Sequence, residues 1–163
     1  MKIEKRIGDL LRRKRWTLSI AESCTGGLIC DRITDVPGAS DYFMGGMVNY
    51  SNQSKAKHLG VPREAIKKYG AVSPQVARKM SQGVRKTFGT TFGLSTTGIA
   101  GPTGGSREKP VGLVFIGLAK GRKTRVLKLN LIGSRREIKQ KSTLLALKYL
   151  HGFIKMENPR EEG

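Results

Sequence analysis

Ser23 stands where a short apolar run, Thr17-Leu18-Ser19-Ile20-Ala21, gives way to Glu22-Ser23-Cys24-Thr25-Gly26-Gly27, and a helical pattern, Leu28 to Ile33, follows at once. Strand, tight glycine turn and helix in succession expose a side chain at the C-terminal edge of a sheet. The N–H groups of such a turn point at one spot, which suits an anion or a developing oxyanion. Ser23 is therefore a candidate nucleophile, with Gly26 and Gly27 allowing a ligand to come close. The same residues also read as an ordinary hydroxyl helix cap with packing glycines.

A nucleophilic serine needs a base. His58 lies in a basic helix and His151 in the last helix, so a Ser-His-Asp arrangement is not expected. Lys55 remains, one helical turn beyond Ser51 in Tyr50-Ser51-Asn52-Gln53-Ser54-Lys55. A lysine acts as a base only when deprotonated, and both desolvation and nearby positive charge lower its pKa. Tyr50 could relay or orient a proton. The alternative is a solvated helix lysine beside Lys57. Cys24 and Cys30 have no histidine pair with them and no set of carboxylates has metal-ligand spacing, so reduced thiols and no metal are expected.

Two further segments could hold a substrate. Thr97 to Ser106 carries Gly98, Gly101, Gly104 and Gly105, but Arg107 follows Ser106, so the nucleotide P-loop spacing is missing. Its N–H groups could still meet phosphate or ribose, or the segment is simply a flexible tip. Arg135 opens the last helix, where an anion would meet guanidinium and helix dipole together; otherwise it is a surface charge.

The elements that must position these residues follow from periodicity. Ile3, Ile7, Leu10 and Leu11 mark a helix over about 2–15. A strand at 17–22, the Ser23 turn and a helix to about Thr34 come next. Asp35-Val36-Pro37-Gly38 is a turn, Ala39 to Phe43 one helical turn, and Gly45 to Ser51 a strand. Short helices are expected over 54–59 and from Pro62 to a stop at Gly70. Ser73-Pro74 starts a helix with Val76, Met80, Val84 and Phe88 inward and Gly89 as its end. Strands at 91–97, 111–119 and 124–132 follow, the last two as a hairpin across Lys120-Gly121-Arg122-Lys123. Ser134-Arg135-Arg136-Glu137 is a capping box, opening a helix to about Ile154 with Ile138, Leu145, Tyr149 and Phe153 inward. The alternation predicts α/β: a three-layer α/β/α sandwich on a mixed sheet, one domain over 1–155, then a polar, frayed tail at 156–163. Three strands would end in hydroxyl and glycine clusters, at Ser23-Cys24-Thr25, Tyr50-Ser51-Asn52 and Thr96-Thr97-Gly98. Ligands bind at such strand ends.

The chain has 163 residues and a net charge of +19, from 31 Lys and Arg against 12 Asp and Glu. That raises nucleic acid as a partner. The basic residues are dispersed, however, and aromatics make up 6 %, with no alternating basic and aromatic strand. Attraction of anionic substrates uses the charge more simply. The N-terminus is a charged helix, not an apolar signal segment, and no run reaches membrane-spanning length, so a cytoplasmic protein without membrane contact is expected.

Six ordered motifs carry a resemblance over about residues 5–153. They are Ala21–Gly27, Val36-Pro37-Gly38-Ala39-Ser40, Tyr50-Ser51-Asn52 with Lys55, Gly70-Ala71-Val72-Ser73, Thr97-Gly98-Ile99-Ala100-Gly101-Pro102 and Glu108-Lys109-Pro110-Val111-Gly112. Together they resemble the C-terminal domain of the competence/damage-inducible CinA proteins, whose stand-alone members are nicotinamide-nucleotide amidases. The resemblance implies hydrolysis of the carboxamide of nicotinamide mononucleotide to nicotinate mononucleotide and ammonia, without a cofactor. It implies active-site roles for Ser23, Tyr50, Lys55 and Thr97, with Ser40 and Arg135 also in the site. Ser23 would attack the carbonyl with help from Lys55 and Tyr50; turn N–H groups and Thr97 would hold the oxyanion. Thr25, Gly26, Gly27, Asn52, Gly101, Gly104, Gly105 and Arg135 would bind the substrate. The family commonly has Gly-Asp-Arg or Gly-Asn-Arg where this chain has Gly133-Ser134-Arg135. Expected partners are the mononucleotide, further copies of the chain in a homo-oligomer, and nucleic acid at most non-specifically. The alternative is a catalytically weak binding or regulatory module linked to DNA uptake or damage response.

Overall fold

The structure, a computed structural model, describes residues 1–157. Five strands form one sheet in the order β2-β1-β3-β4-β5. They are β1 (Leu18–Glu22), β2 (Phe43–Val48), β3 (Phe92–Gly98), β4 (Leu113–Lys120) and β5 (Lys123–Asn130). β1 runs parallel to both β2 and β3, whereas β4 is antiparallel to β3 and β5. The helices are α1 (Ile3–Lys14), α2 (Leu28–Thr34), α3 (Asn52–Leu59), α4 (Arg63–Tyr69), α5 (Pro74–Phe88) and α6 (Arg135–Met156).

Burial divides them into two layers around the sheet. Ile7 and Leu11 of α1, Ile29 and Ile33 of α2, and Ile138, Leu147 and Phe153 of α6 share one core with Leu18, Ile20, Phe92 and Leu94. On the other face, Val76, Met80 and Val84 of α5 pack with Leu59 of α3 and Ala21. The three-layer sandwich on a mixed sheet is the architecture that the alternation of elements predicts.

Three parallel strands end at one edge. The register sets Glu22 beside Val48 and Thr96, so Ser23, Asn49 and Thr97 lie at the same level, where β1 and β2 end and β3 runs on to Gly98. Close packing carries this order outward to α3. A Cβ on Gly83 of α5 would stand 2.0 Å from the Leu59 carbonyl oxygen, so only glycine lets α5 approach α3 this closely.

Boundaries differ from expectation where pairing or capping decides. β2 begins at Phe43, opposite Leu18, and ends at Val48 rather than Ser51, because Ser51 is the N-cap of α3 and accepts from the Ser54 N–H. α3 therefore starts at Asn52, ahead of the expected 54. In α6 the buried face includes Ser142, Ala146 and Leu150 beside Ile138 and Phe153, while Leu145 and Tyr149 are half-buried. Small hydroxyl residues sit in that face because Ser142 and Thr143 donate back to the carbonyls of Ile138 and Lys139, at 2.7 and 2.8 Å. The expected frayed tail lies, from residue 158 on, outside the described residues. No helix among those described is long and apolar enough to cross a membrane.

Candidate active site

The Ser23 turn and the start of α3 face each other across the C-terminal edge of the parallel strands. Lys55 Nζ donates to Ser23 Oγ at 3.0 Å, to the Asn49 carbonyl at 2.9 Å and to the Tyr50 carbonyl at 3.1 Å. Lys55 is 1 % exposed. It points inward because it lies at the fourth position of α3, one turn from the Ser51 cap, so the helix aims it at the strand ends. Burial lowers its pKa from 10.5 to about 8. At pH 7 roughly a tenth of it is then neutral, against about 0.03 % for a solvated lysine. In that neutral form two N–H groups satisfy the two carbonyls, and the lone pair is left for the Ser23 hydroxyl proton.

Ser23 does not cap α2. Its N–H donates to the Thr96 carbonyl at 3.1 Å, and its side chain is held by Lys55. Cys24 lines the same cleft, but burial raises its thiol to about 12, which keeps it protonated. Of the two neighbours, only Ser23 meets Lys55 Nζ through its side chain, and a protonated thiol is a poor nucleophile.

The cleft has a volume of about 310 Å³. Ser23, Cys24, Tyr50, Asn52, Lys55, Thr97, Gly101, Gly104 and Arg135 line it, with Ala71, Val72 and Thr103. Arg135 spans its mouth, donating to the Gly101 carbonyl at 2.7 Å and to Tyr50 Oη at 2.9 Å. Ser134 caps α6 through the expected capping box, and its carboxyl partner, Glu137, leaves Arg135 free to be oriented by Gly101 and Tyr50 instead.

Two side chains are used differently from expectation. Tyr50 is 61 % exposed and meets Lys55 through its main-chain carbonyl; its hydroxyl accepts from Arg135 instead of meeting Ser23 or Lys55. Thr97 lines the cleft, but its hydroxyl donates to the Ala71 carbonyl at 2.9 Å, so that hydrogen is committed to the wall.

Other expected residues lie off the cleft lining. Thr25 is buried and bonds Thr96 Oγ1 at 2.8 Å, fastening the turn to β3. Gly26 and Gly27 face Lys139 and Val48, and Gly105 packs on Val111. Ser40 sits in a 3₁₀ turn, Ala39–Asp41, before β2, whereas the cleft lies beyond the far end of that strand. Within one chain it does not reach the cleft. His58 bonds Ser54 at 3.2 Å on the surface, and neither it nor His151 lines the cleft. Sequence reasoning passed over Asn49, a supporting carbonyl whose role only the three-dimensional pairing reveals. Among the described residues, no three His, Cys, Asp or Glu side chains are grouped to hold a metal ion.

The sequence model of the CinA C-terminal domain matches residues 1–154. The chain belongs to the CinA C-terminal domain family. A CinA-like protein of Dictyoglomus thermophilum is 53 % identical over 148 residues, which are 91 % of this chain and 36 % of that protein. A CinA-like protein of Kosmotoga olearia is 49 % identical over 148 residues, again 91 % and 36 %. The chain thus spans little more than a third of the length of these curated CinA relatives. Among solved structures, the competence/damage inducible protein CihA of Agrobacterium tumefaciens superposes with a TM-score of 0.88 at 37 % identity, covering 91 % of each chain. The family fold and the mixed sheet of this CinA domain agree.

Proposed function

We propose that this CinA domain is an amidase that converts nicotinamide mononucleotide to nicotinate mononucleotide and ammonia. The observation that carries the reading is the 3.0 Å contact between Ser23 Oγ and a buried Lys55 whose pKa falls to about 8. Neutral Lys55 takes the Ser23 proton as Oγ bonds the carboxamide carbon. The N–H of Cys24, which makes no hydrogen bond to another residue among those described, is the turn's donor for the oxyanion. Lys55 returns the proton to the amide nitrogen, the C–N bond breaks and ammonia leaves. Lys55 then accepts a proton from water, whose oxygen attacks the acyl carbon; the C–Oγ bond breaks, the proton returns to Ser23 and nicotinate mononucleotide leaves.

The phosphate falls to Arg135. Two of its five N–H donors are committed, to Gly101 and Tyr50, and the rest are available. Arg135→Ala is expected to raise KM for the mononucleotide about 10–100-fold, the range of a lost charge-assisted pair. Hydrolysis of the phosphate-free riboside should change little. Equal losses on both substrates would assign Arg135 to holding the Gly101 loop. The reading itself is tested by ammonia release from the mononucleotide, compared with free nicotinamide and the dinucleotide; it requires turnover of the mononucleotide.

The charge of +19 favours a second reading, a DNA-binding module. Basic residues lie in the last turns of α1, α4 and α5 and at the start of α6, and we propose that they bind DNA only through phosphates. Affinity for unrelated duplexes is then expected to be equal and to fall about 10³-fold between 50 and 200 mM salt, as counterion release predicts for about six contacts. Binding that survives this salt range, or that distinguishes sequences, would support the module instead.

A further inference from the structure

Glu22 is a buried acid that the proposed reaction does not use. It ends β1, is fully buried, and immediately precedes the nucleophile. Its side chain folds back over the turn it precedes. Oε2 accepts from the N–H groups of Gly27 and Ile29 at 3.0 and 3.2 Å, and Oε1 from that of Cys30 at 2.8 Å. These are free donors at the start of α2, whose own N-cap, Gly27, has no side chain to offer. Burial, together with the Glu22 charge, also holds the Cys30 thiol in its protonated form.

The main chain of the same residue reaches the other half of the pair. The Glu22 carbonyl accepts from the Asn49 N–H at 2.7 Å, and the Asn49 carbonyl accepts from Lys55 Nζ at 2.9 Å. One residue therefore closes the five-residue turn that presents Ser23 and anchors the carbonyl that aims Lys55. A leucine or glutamine of similar size could fill the volume, but only two acceptor oxygens satisfy three converging N–H groups without adding a donor. Burying an acid in a core is costly unless its oxygens accept hydrogen bonds in this way.

We propose that Glu22 is a positioning residue for the Ser23–Lys55 pair, fixing the turn through its side chain and Lys55 through its main chain. The proposal rests on the amidase reading, so its test carries a readout that does not. Glu22→Gln replaces one acceptor with an NH₂ group among three N–H donors. Glu22→Asp keeps the charge and draws the oxygens back by one methylene. Both variants and the parent are measured for kcat and KM with the mononucleotide, and for the rate at which a fluorophosphonate modifies Ser23. Expected are a kcat about 100-fold lower, the scale of an ångström of misplacement, a KM within about twofold, and a parallel fall in Ser23 modification. The pH midpoint should stay near the parent's, about 8. A kcat and labelling rate equal to the parent's in a folded variant with a lower Tm would make Glu22 a helix cap only and overturn the proposal. Failure of both variants to fold would also overturn it, leaving Glu22 a determinant of folding alone. A parent that labels at Ser23 but releases no ammonia would refute the amidase reading, and the labelling rates would still decide the role of Glu22. A parent that does not label would overturn both.

Discussion

Ser23→Ala is expected to give a folded protein that releases ammonia from nicotinamide mononucleotide about 10⁴-fold more slowly, or worse. Removing a nucleophile costs orders of magnitude in rate because the remaining groups act only around it. The cost in stability should be near 1 kcal/mol, the worth of one hydrogen bond. Ser23 caps nothing: its hydroxyl meets only Lys55, which keeps the carbonyls of Asn49 and Tyr50 as acceptors. Steady-state kinetics and thermal unfolding check the two effects separately. Near-normal turnover in the folded variant would remove Ser23 from the chemistry.

Lys55→Arg is expected to be inactive while still binding substrate. Arginine keeps the charge but gives up no proton at working pH. An electrostatic role alone would leave substantial activity. Because Lys55 is 1 % exposed and arginine is bulkier, Lys55→Met is the companion variant, filling similar volume without charge; it should fold and be inactive too. The pH profile supplies the sign. Only neutral Lys55 accepts the Ser23 proton, and its pKa lies lowered at about 8. kcat/KM is therefore expected to rise with pH through about 8 and level above it. A profile flat between pH 6.5 and 9.5, with kcat/KM unaffected by Lys55→Met, would exclude the base.

Much of this was legible along the chain because the signals are local. Ser73-Pro74 marks a helix start and Ser134 to Glu137 a capping box, and both stand where expected. The strand, glycine turn and helix around Ser23 are likewise read from neighbouring residues. The partnership of Ser23 with Lys55 joins positions 32 apart. It depends on β1 lying between β2 and β3, an order that no local period encodes. The residues alone left Lys55 open between base and surface charge; at 1 % exposure it is no surface charge. Tyr50 and Thr97 show a different limit. Their types suit proton relay and oxyanion binding, yet each hydroxyl is committed elsewhere, to Arg135 and to Ala71. Glu22 was hidden by its surroundings, since its three donors come from the N-cap and first turn of a helix that begins six residues later.

Partitioning with hydroxylamine during turnover of nicotinamide mononucleotide tests the Ser23 acyl-enzyme directly. An acyl group on Ser23 would pass to hydroxylamine as well as to water. The expected product is the mononucleotide hydroxamate, formed at the expense of nicotinate mononucleotide as hydroxylamine rises and absent with Ser23→Ala. Ammonia release yielding only the acid at every hydroxylamine concentration would mean direct attack by water, and would contradict Ser23 as the nucleophile.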